Sequence, residues 1–163
     1  MSDDFPDSVK RVAAALAEAG HGESPVWLDS AARTSQQAAD ALGVVVGQIA
    51  KSVIFRRRDD DVAVLVVTSG DRRVDEAKVA AQVGALARAN ADFVKARTGF
   101  AIGGVSPVAH ATPPVTLIDR ELFRFERIWA AAGHPNAVFP LAPSDLERLT
   151  GAPVADVTEV PAP

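Results

Sequence analysis

Apolar residues recur at two periods along this chain, and the switches between them divide it into alternating helices and strands. Val9, Val12, Ala13 and Leu16 follow the i, i+3, i+4, i+7 spacing, which puts them on one face of a helix running from about Ser8 to Ala19 and stopped by Gly20. The segment PVWLD (25–29) predicts a short strand. Thr34 and Gln37 have the spacing of a capping box, in which the hydroxyl takes a backbone N–H and the amide reaches back; they open a helix that ends near Leu42, at Gly43. SVIF (52–55) and VAVLVV (62–67) are too short and too β-branched for helices, and they predict two buried strands of a hairpin across RRRDDD (56–61).

Further along, Asp75 is placed to cap a helix through EAKVAAQV, closed by Gly84, and a short helix is expected over Ala91 to Arg97. PVTLID (114–119) predicts a strand. Asp119 then caps a helix whose stripe is Leu122, Phe125, Ile128, Trp129 and Ala132, ending at Gly133. NAVFPL (136–141) predicts a strand, Ser144 with Glu147 a capping box, Gly151 a helix end, and PVADV (153–157) a last short strand. The tail, Pro161–Pro163, is expected to fray. Irregular alternation of this kind indicates an α+β (mixed α/β) fold with one mixed sheet. The glycine fingerprints of dinucleotide and P-loop folds are missing.

The 163 residues fit one domain, 1–163, and an apolar share of 48% allows a sizeable core. No apolar run reaches the ~20 residues of a membrane span, and the acidic start lacks the pattern of a secretory signal. Absence of cysteine rules out disulfides, thiolate metal sites and a cysteine nucleophile, and fits a cytoplasmic protein. The net charge of −4 argues against a broad grip on a nucleic-acid duplex. Two arginine clusters remain, Arg56–Arg58 and Arg72–Arg73. Both read most simply as solvated turns, the first cancelled by Asp59–Asp61, so any RNA contact should be small, as with a single-stranded end.

Candidate chemistry lies in two places. Adjacent Gly103 and Gly104 let the loop Gly103–Pro107 bend sharply and aim N–H groups at a developing oxyanion; the same pair also serves as a plain turn. Ser106 is not in a G-x-S-x-G elbow, and reads as a hydrogen-bond donor or a turn residue. Lys51, flanked by Ile49, Ala50 and Val53, can bind a phosphate or polarise a carbonyl, or else lay its stem on the core with the amine in water. His21, His110 and His134 lack metal-ligand spacing, so no metal site is expected. His134 either lines a pocket or simply follows a helix end.

Taken in order, QIAKSVIF, VLVVTSGDRRVDEAKVA, TGFAIGGVSPV, LIDREL and LERLTGAPVADV resemble the YbaK/ProX family of aminoacyl-tRNA deacylases, related to the prolyl-tRNA synthetase editing domain. The similarity is strongest over 34–157. It implies a curled mixed β-sheet flanked by helices, no cofactor, and trans-editing hydrolysis of a mischarged tRNA, of the kind that reads proline and carries Ala, Ser or Cys. The implied partners are the 3′ end of aminoacyl-tRNA and prolyl-tRNA synthetase, with no membrane. Lys51 stands where the family's functional lysine stands, and Gly103, Gly104, Val105, Ser106 and Pro107 match its G-x-x-x-P loop. Thr34, Val53, Phe55 and His134 align as pocket neighbours. The cysteine-removing branch has a serine and an aspartate where this chain reads Ala131–His134 and Val138, which weakens the case for a cysteine-specific deacylase and leaves alanine, serine or another small residue at least as good a candidate. Two other readings stand beside this one: a binding module that grips aminoacyl-tRNA or a synthetase without cutting, and an esterase using Ser106.

Overall fold

The computed structural model describes residues 4–161, so the expected fraying of Ala162 and Pro163 lies outside the described residues. The first helix, α1 (Asp7–Glu18), buries the predicted stripe: Val9, Val12 and Leu16 are almost wholly enclosed. β1 is Val26–Trp27. In α2 (Ser35–Leu42), Thr34 Oγ1 accepts the Gln37 N–H at 3.1 Å, and Gln37 Oε1 accepts from Arg33 N, one residue further upstream than the capping box predicts.

A 3-10 turn over Val46–Gln48 leads into β2 (Ile49–Arg57), and the hairpin returns as β3 (Ala63–Ser69). The two pair antiparallel from Ala50↔Ser69 to Arg56↔Ala63. α3 (Glu76–Val83) is capped by Asp75, whose carboxylate accepts from Ala77 N and Lys78 N. β4 (Leu86–Arg88), α4 (Ala91–Thr98) and β5 (Val115–Asp119) follow, then β6 (Ile128–His134), β7 (Ala137–Leu141), α5 (Pro143–Thr150) and β8 (Val154–Ala155).

These strands form one open mixed sheet in the order β1-β7-β6-β2-β3-β5-β8, with β4 on β2. Asp119, fully buried, ties its middle together: one oxygen accepts from Thr68 Oγ1 and Ser69 N, both at 3.0 Å, and the other from Glu121 N at 2.9 Å. The main core lies between the sheet and α1, around Phe100, Phe139, Ile118 and Leu122. A smaller one, around Val64, Val66 and Val79, packs on the opposite face.

Two expectations are corrected. The long helix after Asp119 is a five-residue 3-10 turn, Arg120–Arg124, and the residues from Ile128 to His134 form a strand. Asp119 does cap the turn, through Glu121 N. The helical spacing misled because β6 is central and nearly all apolar, which hides a strand's period of two: Ile128, Ala130 and Ala132 are buried, while Trp129 and Ala131 are partly so. The Ser144–Glu147 capping box also fails. α5 begins two residues earlier, with Ala142 as its N-cap and Pro143 at its first position, suited there by its fixed φ, and Asp145 Oδ2 accepts from Ala142 N at 2.9 Å.

Candidate functional site

β2 is paired with β3 from Ala50 to Arg56, but only in part on its other edge. There it meets β6 at Ile49 and Ala50, and β4 at Phe55–Arg57. Among the described residues, positions 51–54 have no strand partner on that side. The sheet therefore forks beyond Ala50, and a cavity of about 360 Å³ opens at the fork. Ile49, Ala130, Ala131, Ala137 and Val138 give it apolar walls, and Thr34 and Ser35, at the start of α2, border it.

Lys51 and Gly103, some fifty positions apart in the chain, line this one cavity. Val105, Thr34 and His134 line it too. No hydrogen bond or ion pair reaches the Lys51 ammonium among the described residues. Its pKa is held below the ordinary lysine value, first by burial and then by the charge of Arg73, with Asp119 and Asp71 opposing.

The glycine loop is shaped by its own turn. Gly104 N–H donates to Ala101 O at 3.1 Å, with Gly103 in the third position at φ 96°, where such a turn requires a residue free to take positive φ. Gly104 is needed for another reason: a Cβ there would stand 2.9 Å from both the N and the Cα of His134. The loop thus lies directly on the end of β6. The N–H groups of Gly103 and Val105 take no acceptor among the described residues.

His134 is oriented on two sides. Its Nδ1 accepts from Asn136 N at 3.0 Å, so the ring proton sits on Nε2, and its ring stacks on Trp27 with centroids 4.8 Å apart. The loop, the residues after it and the end of β6 are held from behind. His110 Nε2 donates to Ser106 O at 2.7 Å, Arg11 of α1 donates to Ala109 O at 3.1 Å, and Ser8 of α1 donates to Gly133 O at 2.7 Å.

Not every candidate joins the cavity. Ser106 is fully buried, and its Oγ accepts from Val108 N at 3.1 Å; it shapes the turn and has no access to an ester, which removes the esterase reading. Gly104 and Pro107 are also buried in the loop's foundation. Val53 and Phe55 lie away from Gly103, in an open groove of about 910 Å³ that they share with Lys51, Gly70 and Asp71–Glu76. Sequence reasoning missed Ser52 and Trp129. Both line the cavity, and Ser52 Oγ and Trp129 Nε1 are buried without a hydrogen-bond partner among the described residues, a state that buried polar atoms rarely keep unless a ligand or water serves them. Neither residue type in an apolar strand signals this in advance.

His110 carries a pH prediction. Burial pushes its pKa below the usual 6.5, against the opposing effect of its bond to Ser106 O. The unfolded chain then takes up the proton first as pH falls, so the associated stability is complete above about pH 6.5 and is lost below it. His110→Gln, which keeps a donor near Ser106 O, is expected to flatten the decline of the urea midpoint between about pH 6.5 and 5. An unchanged slope would show that His110 does not set the acid limit.

The family model of the aminoacyl-tRNA editing domain matches residues 29–149. The uncharacterized protein YwhH of Bacillus subtilis (strain 168) is 35% identical over 123 residues, 75% of this chain and 78% of that protein. The crystal structure of a candidate trans-editing enzyme for prolyl-tRNA synthetase superposes with a TM-score of 0.90 at 42% identity, covering 96% of this chain and all of that one. The hypothetical protein APE2540 superposes at 0.83 with 32% identity, over 91% of this chain and 99% of that one.

Proposed function

From the premise that this chain belongs to the aminoacyl-tRNA editing-domain family, we propose that it is a trans-editing deacylase, hydrolysing the ester between a small, wrongly attached amino acid and the 3′ end of a tRNA, with tRNA for proline the first candidate. The observation that carries the reading is the convergence of an unpaired ammonium, Lys51, and a bent glycine backbone, Gly103–Val105, on one cavity. Small walls at Ala130, Ala131, Ala137 and Val138 suit a short side chain. Such a second sieve is needed because a synthetase pocket gains only about 1–3 kcal/mol from one methylene.

The chemistry asks for little beyond placement. Water adds to the ester carbonyl carbon, and negative charge gathers on the carbonyl oxygen. The N–H groups of Gly103 and Val105 and the Lys51 ammonium are fixed beforehand near that charge, which is what makes such donors effective. Collapse breaks the bond to the ribose oxygen, which leaves with a proton. The products are free amino acid and tRNA. The neighbouring ribose hydroxyl orients the water, and His134 offers its Nε2–H as a further donor. No side chain need become acylated, in keeping with the burial of Ser106.

A panel of tRNAs carrying Ala, Ser or Cys, incubated with the purified chain, tests this. Release of at least one amino acid well above the buffer rate is expected. Tight binding without release from any would replace the enzyme reading with that of an editing-fold binding module.

A further inference from the structure

The two arginine clusters part company in the structure. Arg56 and Arg57 are answered within their own hairpin, by Asp61 at 2.6 Å and Asp60 at 2.8 Å. Arg72 meets Asp71 and Glu121 only at 3.7 and 3.9 Å, and its Nε is buried without a hydrogen-bond partner among the described residues. Asp71 is already occupied by both terminal nitrogens of Arg124, at 3.1 and 2.8 Å. Arg73 reaches Glu159 only at 3.9 Å, with its side chain 85% exposed.

Both arginines line the open groove that also holds Val53 and Phe55, and Lys51 is a wall of both this groove and the cavity. A chain whose end occupies the cavity can therefore leave past Lys51 and along β2. Arg73 is near enough to repel the Lys51 ammonium, and an anion between them would relieve that repulsion. Of the groove's acids, Asp71 is held by Arg124 and Asp75 caps α3, leaving Glu76 and Glu159. The balance suits one or two phosphates, not a duplex.

Resting on the deacylase reading above, we infer that this groove is a phosphodiester track for the single-stranded 3′ end of the RNA, with Arg72 and Arg73 as its phosphate contacts and Phe55 as an apolar wall against a base. Arg73 is the residue to change, since its exposure makes misfolding no concern. In Arg73→Ala, kcat/KM on mischarged tRNA is expected to fall about three- to tenfold relative to kcat/KM on 3′-O-aminoacyl-adenosine, which has no phosphate to lose. Binding of a fluorescein-labelled single-stranded RNA ending in CCA, followed by anisotropy over a salt series, should show a log–log slope shallower by about 0.7, one single-strand phosphate contact. Arg56→Ala, an equal change of charge at a paired site, should leave both readouts alone. An unaltered substrate ratio and salt slope in Arg73→Ala, or equal effects in Arg56→Ala, would overturn the track. Should the unaltered protein hydrolyse neither substrate, the deacylase reading fails, and the salt slopes still decide this one.

Discussion

Lys51→Ala is expected to lower kcat/KM for the mischarged tRNA by about 10²–10³-fold, the loss seen when one prepositioned donor to an oxyanion is removed. The magnitude follows from the side chain's isolation: its ammonium is matched by no ion pair among the described residues, so none of its charge is spent on the fold. Half-buried at the fork of β2 and β6, it acts in surroundings that screen charge less than water does. Stability offers a check on the cause. The lowered pKa means that the unfolded chain binds the proton more tightly between the folded pKa and 10.5, so the charged form works against folding below that window. Lys51→Met, which keeps the aliphatic stem, should therefore unfold at no lower urea concentration than the parent while losing activity to the same degree. Full turnover in either variant would remove Lys51 from the chemistry.

Gly104→Ala is expected to lower both activity and stability. The added methyl would stand 2.9 Å from backbone atoms of His134, which cannot swing aside as a flexible side chain could. Forced overpacking of this kind costs about 1–3 kcal/mol. The loop and the end of β6 would separate, and a displacement near 1 Å at reacting groups can cost about 10²-fold in rate. Gly103→Ala is the instructive contrast. Its methyl would find nothing nearer than 3.9 Å, so only the positive φ resists it. Thermal unfolding and deacylation measured together separate the cases, and a Gly104→Ala protein with parental melting temperature and rate would mean that the two segments are not in firm contact.

Much of this was legible from residue order alone. α1, α2, α3 and α4 sit within a residue or two of their expected places, because each has a cap, a stop or a clear period, and the β2–β3 hairpin is where it is expected, although β2 starts three residues before Ser52. β4 gave no such signal: three residues whose pairing with β2 depends on the tertiary fold. β6 was misread since alanine favours helices locally, and only burial on both faces of the sheet makes Ile128–His134 a strand. At the site, Lys51 and the glycine loop stood out through resemblance, and their meeting is a fact of topology. Val53 and Phe55 align with the family's pocket neighbours, and only the fold turns them toward the groove that Lys51 shares with the cavity. Along β2 they follow Lys51 at alternate positions, facing the groove. Arg72 looked like a solvated turn residue, and nothing in its local sequence tells that its Nε is enclosed.

The family match begins at residue 29, a boundary that leaves α1 outside, yet that helix holds the segment after the glycine loop through Arg11 and the end of β6 through Ser8. A shortened protein cut at that boundary would lose Val9, Val12 and Leu16 from the main core and bare the greasy underside of Phe100 and its neighbours. Such a fragment should clump at concentrations where the full chain stays monodisperse, and any failure of it to edit would say nothing about the chemistry.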